Sequence, residues 1–314
     1  MFKFVLSRIA MAVPTLIIVA IAVFVLIRLI PGDPAQLLLG DMADPTSLAD
    51  LRIRLGLDRS VWEQFIIWFG HVLQGDLGIS INQNVPVLGL VWERFTVSAQ
   101  IVMIAVLIAT LIAVPAGIIA AWKQNQPIDL LLIGLSTLLV SIPTFWLGLI
   151  LLLFFGLQLG WLPVVGYVSI ATDWKAGLLY LMMPIMTLFI HEIGVIIRMS
   201  RASALEVLRL DYVTHARAKG LSESAVLTHH VFRNAFGPTW TLIGLVLGNL
   251  LGGIAVVETV FTIPGLGRLL VDSIFARDYP VIQGCLLFVA VIYVLVNLFV
   301  DLCYPIFDPR VTAE

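Results

Sequence analysis

The chain reads as an all-α polytopic membrane protein: six transmembrane helices, a helical extracytoplasmic segment after the first span, and a helical cytoplasmic loop before the fifth. Three observations predict this class. Hydrophobic residues make up 60% of the chain and charged residues 12%, with a mean hydropathy of +1.05, whereas an ordinary soluble domain carries roughly 25% charged residues. Six apolar stretches, at about 9–30, 97–121, 130–156, 178–200, 237–258 and 282–305, each reach the roughly 20 residues that cross a bilayer as helix. Lys and Arg in the short loops fall mainly on one side if those stretches alternate in direction.

The first span, within residues 1–30, follows Lys3 and Arg8. Its apolar run is too long for the core of a signal peptide and lacks a small-residue cleavage site, so a retained anchor is expected. Residues 31–96 are too many for a bare connector. Pro45, Thr46 and Ser47 precede an amphipathic piece, LADLRIRLGL, and Ser60 with Glu63 forms a capping box opening VWEQFIIWFGHVL. Trp62, Phe65, Ile66, Phe69 and Leu73 recur at helical spacing along one face. This segment reads either as a cap resting on the span ends and headgroups or as a surface that receives an extracytoplasmic partner.

Residues 97–305 hold the other five spans, and 306–314 form a short tail. Lys3, Arg8, Lys123, Arg198, Arg201, Arg209, Arg217, Lys219, Arg233 and Arg310 fall on one side, against Lys175, Arg268 and Arg277 on the other. The basic side is cytoplasmic by the positive-inside rule, which puts both termini inside. Arg52, Arg54 and Arg59 lie in the long outer segment, where charge has little topological weight.

Small residues repeat at four-residue intervals in two spans: Ala105, Ala109, Ala113, Gly117 and Ala121, then Gly244, Gly248 and Gly252. Such stripes let helix backbones approach closely, either within one subunit or at a moving interface between two. Pro115, Pro143 and Pro184 are expected to bend their helices or free carbonyls. His191 and Glu192 interrupt the fourth span, Asn249 the fifth, and Glu258 lies near its outer end. Ionisable and polar groups at membrane depth mark a translocation path or an internal polar contact. Met182, Met183 and Met186 beside His191 suggest soft metal ligands only weakly, because Met in apolar helices usually fills gaps.

The most charged stretch between spans runs from Asp211 to Pro238, within the cytoplasmic loop 209–237. Burying its charges in hydrocarbon is prohibitive, so it faces water or protein. Asp211 is expected to cap a helix beginning at Tyr212, Gly220 to end it in the left-handed conformation, and Ser222 to cap a second helix with Glu223 in its first turn. Two short helices about a Gly hinge would form a compact knuckle for docking.

This stretch resembles the cytoplasmic coupling loop of ABC-importer permeases of the peptide/nickel branch, through Ala216, Arg217, Ala218, Lys219 and Gly220, then Arg233, Asn234, Ala235 and Pro238. PGDPA at 31–35, LGLD at 55–58, GDLG at 75–78, and PGLGRLL with RDYPV between Pro264 and Val281 are similar to the same branch and stand in its order. His215 departs from the small residue usual there, and Gly237 from an apolar one.

The resemblance implies an inner-membrane permease of a bacterial or archaeal cell, importing di- or oligopeptides or glutathione-like peptides. It implies a second, distinct permease chain, two ATP-binding subunits that dock on Asp211, Tyr212, His215, Ala216, Arg217, Lys219 and Gly220, and an extracytoplasmic solute-binding protein. His191, Glu192, Asn249 and Glu258 are the candidates for the path. Within the class, a nickel or metal-chelate importer is the alternative; outside it, a channel or a proton-coupled carrier. A carrier predicts repeat symmetry and several mid-membrane carboxylates, and neither is evident. The sequence has no GxxxxGK[ST] loop, no HExxH and no Ser/His/Asp set, so no enzyme and no cofactor is expected. A net charge of −2 offers no field for nucleic acid, and Cys285 and Cys303 show no CxxC or zinc spacing.

Overall fold

A computed structural model of the chain describes residues 2–29, 44–54 and 58–307. PGDPA, the first three residues of LGLD and the tail from 308 onward lie outside the described residues. The helices are α1 (Phe2–Leu29), α2 (Pro45–Arg54), α3 (Val61–Leu73), α4 (Val87–Trp122), α5 (Pro127–Ser141), α6 (Thr144–Leu151) and α7 (Trp174–Leu208). They continue with α8 (Asp211–Ala218), α9 (Arg233–Gly253), α10 (Ala255–Val260), α11 (Leu266–Phe275) and α12 (Tyr279–Phe307).

Among the described residues, five helical stretches are long and apolar enough to cross a membrane, and the count reaches six when the pair Pro127–Ser141 with Thr144–Gln158, bent by 94°, is taken as one span. The bend falls at Ile142 and Pro143, where the missing amide and the proline ring stop the helix. Pro115 and Pro184 instead lie inside unbroken helices. The bent pair still carries the chain across the bundle. Its start joins Arg201 through Asp129, while its far side meets Phe261 at Gly148 and is followed by a bond from the Gly166 amide to Thr262.

The core is the packing of α4 on α7, with α9 and α12 beside them. The alanine stripe is fully inside it: Ala105, Ala109 and Ala113 are buried, and a side chain at Gly117 would strike Ser200, Ile197 and Arg201. The glycine stripe faces Val300, Tyr293 and Val289 of α12. Both stripes therefore serve close packing within one chain.

The capping box forms as expected, with the Ser60 amide donating to Glu63 at 3.0 Å and the Glu63 amide to Ser60 at 3.3 Å. Helix α3 leans on the C-terminal end of α1 through Phe24, which meets Phe65 at 5.1 Å and Trp68 at 5.5 Å between ring centroids. Arg28 lies over the Phe24 ring and donates to Gln64.

Two expectations about the loop are corrected. Asp211 is the first residue of its helix, preceded by Leu210, and makes no side-chain cap. The second short helix is not separate: a turn at Glu223–Ala225 and a π-helical stretch at Val226–Phe232 run directly into α9. Pro238 therefore lies inside α9, not at its start, because the last turns before it already have helical partners.

Candidate functional site

Helix α8 is held by its apolar side. Val213 and Ala216, three residues apart, are buried in a cluster with Ala121, Ala204, Val207, Val226, Val231 and Ala235. Asp211, Tyr212, His215, Arg217 and Lys219 remain on the exposed side. Ala216 thus seats the helix and does not belong to the exposed face. Gly220 ends the helix at φ +82°, with its amide bonded to the Arg217 carbonyl at 2.9 Å and the Leu221 amide to the Ala216 carbonyl at 3.4 Å. That paired closure is a Schellman motif, and the positive φ explains the glycine. Ser222 caps the following turn through the Ala225 amide.

The sequence did not foretell how the turn is clamped. Arg217 donates twice to Glu223, at 2.8 and 3.2 Å, across Gly220. Arg217 foremost, with Trp122 and Lys123 at the end of α4 adding to it, holds the Glu223 carboxyl below the ordinary carboxylate range. The apolar cluster beneath the exposed helix also takes in Ala121 at that end of α4. Nearby, Arg201 grips Asp129 at 2.6 and 2.7 Å, and the Asn125 amide adds a third bond to the same carboxylate. Arg201 entered the sequence reading only as a topological charge, and its partner 72 positions away becomes visible only once α5 and α7 pack. The signal was weak: an Asp in the first turn of a span.

The four polar candidates of the spans separate by environment. Glu192 and Glu258 are buried inside this one chain, His191 is half-buried beside the Ile142 carbonyl at the helix break, and Asn249 is exposed. Glu258 accepts from the Ser98 hydroxyl at 2.5 Å and the Arg268 amide at 2.8 Å, while Ser98 accepts from the Leu266 amide. Its carboxylate thus caps α11 and fixes the PGLG loop, and it occupies the space that a side chain at Gly265 would need. A second carboxylate works alike. Asp278 of RDYPV, itself buried, accepts from Ser80, from the amides of Ile81 and Asn82, and from the Asn82 side chain. It latches the hairpin that follows GDLG, where Ile79 pairs with Pro86. Gly237, the departure noted in sequence, is buried and faces the Tyr304 ring.

The arrangement is an exposed helix with a defined end, seated through a buried apolar cluster on the ends of longer helices. Similarity to known proteins decides the family. The model of the binding-protein-dependent transport system inner membrane component matches residues 113–313, and its N-terminal companion matches residues 1–112. The chain belongs to the binding-protein-dependent transport permeases. This permease is 40% identical over 311 residues to a putative peptide transport system permease of Brucella suis, covering 99% of both chains. It is 39% identical over 332 residues to a dipeptide transport system permease of Alkalihalophilus pseudofirmus, again covering 99% of each. To a glutathione transport system permease of Salmonella paratyphi A it is 42% identical over 312 residues, covering 99% of each. The permease is a multi-pass membrane protein of this family, as the fold requires.

Proposed function

We propose that this permease is the membrane subunit of an ATP-driven importer of di- and oligopeptides, glutathione-like peptides included. The observation that carries the reading is full-length similarity to permeases named for peptide, dipeptide and glutathione transport. An extracytoplasmic solute-binding protein delivers the peptide, a second homologous permease completes the membrane part, and two ATP-binding subunits supply the hydrolysis. Both termini and helix α8 face the cytoplasm. Asp211, Tyr212, His215, Arg217 and Lys219 form the docking face, with Ala216 seating it and Gly220 setting its end. Closure of the ATP-binding subunits pushes this face, and the ties at Glu223 pass the displacement to α4 as a rigid body.

The test is reconstitution of the complex in vesicles with its receptor. Uptake of tritiated dipeptide or glutathione that requires ATP and receptor is expected, and uptake of a nickel chelate alone would replace the reading. Orientation is checked with cysteines in intact cells: Gln83→Cys should react with an impermeant thiol reagent and Ser222→Cys should not. The reverse pattern would remove the docking assignment.

A further inference from the structure

Two membrane-spanning helices expose a stripe along one side, and the stripes differ in kind. Along the middle of α4 one exposed stripe holds Met103, Leu107 and Leu111, all apolar and spaced by four. That is a face for lipid chains. On α9 the exposed residues continue through Pro238, Thr241, Leu245 and Asn249, with Val256 beyond the helix end. Thr241 returns its hydroxyl proton to the Gly237 carbonyl at 3.3 Å, leaving its oxygen free to accept outward. Asn249 makes no hydrogen bond among the described residues.

Depth makes this costly. Gly248, next to Asn249, receives the ring of Tyr293, the central residue of the 29-residue helix α12. Asn249 is therefore level with the middle of the apolar helix α12. An amide left without partners in hydrocarbon costs roughly 4–8 kcal/mol, so this face meets water, solute or protein. Its groups are uncharged, and an Asn amide offers two donors and an acceptor. Such groups match the donor and acceptor of a peptide bond and are indifferent to the charge of the peptide's side chains.

Resting on the peptide-import reading, we infer that the exposed side of α9 is a wall of the aqueous passage and that Asn249 hydrogen-bonds the backbone of the passing peptide at mid-membrane. The experiment uses the assembled complex, with Cys285→Ala and Cys303→Ala as background. Single cysteines replace Asn249, Leu245 and Leu107, and a water-soluble maleimide is applied during ATP turnover with receptor. Asn249→Cys and Leu245→Cys should label, and Leu107→Cys should not. Asn249→Leu should lower the maximal uptake of tritiated dipeptide about tenfold, the rate equivalent of one hydrogen bond, with Asn249→Gln retaining most of it. ATPase activity and receptor binding should be unchanged in both. Absent labelling with intact uptake overturns the inference, and cross-linking of Asn249→Cys to the second permease without labelling reassigns the face as a subunit contact. Labelling in a wild-type-like complex that imports no peptide would instead sink the peptide reading while leaving the passage wall standing.

Discussion

The two ends of this molecule are held by opposite means. In the orientation proposed above, Glu258 and Asp278 lie at the outer end, buried and surrounded by donors, and each fastens a loop to the helices. At the inner end, helix α8 rests on two small apolar side chains and a half-exposed ion pair. Removing a partner from a buried charged network is expensive, whereas an exposed pair contributes little. The outer end is built to keep its shape, and the inner end to be moved without unfolding the bundle.

The largest expected effect breaks the outer end. Glu258→Ala strips the Ser98 hydroxyl and the Arg268 amide of their acceptor and should destabilise by on the order of 3 kcal/mol, read as a lower melting temperature and poor recovery in detergent. Gly265→Ala should be comparably damaging, because the new methyl falls on the Glu258 carboxylate. Asp278→Ala should cost about 2 kcal/mol and release the 79–86 hairpin to proteolysis. Unchanged stability in all three would erase the contrast between the ends.

Inner-end changes should leave the fold and remove the work. Gly220→Val forces a β-branched residue into positive φ at a strain of about 1.5 kcal/mol, so insertion should be normal while ATP-dependent uptake and retention of the ATP-binding subunits fall. Arg217→Ala should shift stability by no more than about 0.5 kcal/mol yet reduce uptake per ATP hydrolysed. The double variant Arg217→Glu with Glu223→Arg sharpens this: recovery of coupling means that the pair acts inside the loop, and failure means that Arg217 meets the partner directly.

The smallest effect is a pH effect on α3. The Ser60 hydroxyl, then its backbone amide, hold the Glu63 carboxyl below the ordinary carboxylate range. A carboxyl depressed in the folded state adds stability above its unfolded pKa and loses it as pH falls through the folded value. Acidification below about pH 4 should therefore open the Ser60 and Glu63 amides to exchange while Leu90 and Ile101 stay protected.

Much of this was legible in the sequence, because it was written locally. The capping box at Ser60, the left-handed stop at Gly220 and the cap at Ser222 depend on residues a few positions apart. Span positions followed from hydropathy, and Pro143 announced a bend though not its size. The continuity of Glu223 with α9 was not legible, since Pro238 looks like a start and becomes an interior residue only because the preceding turns find helical partners. The Asp129–Arg201, Asp278–Ser80 and Glu258–Ser98 contacts join positions far apart in the chain, so no local pattern encodes them. Among the path candidates, sequence could not distinguish Asn249 from Glu192, because both interrupt apolar helices; only the packing of their neighbours turns one outward and the other in.

Gly265 and Glu258 share a single volume, the carboxylate of one filling the place where the other would carry its first side-chain carbon. The two positions consequently form one unit of inheritance. Losing the carboxylate strands its donors and enlarging residue 265 displaces it, so either single change passes through a weakened intermediate. Geometry thus couples the two positions, and a change at one is expected to be accompanied by a change at the other.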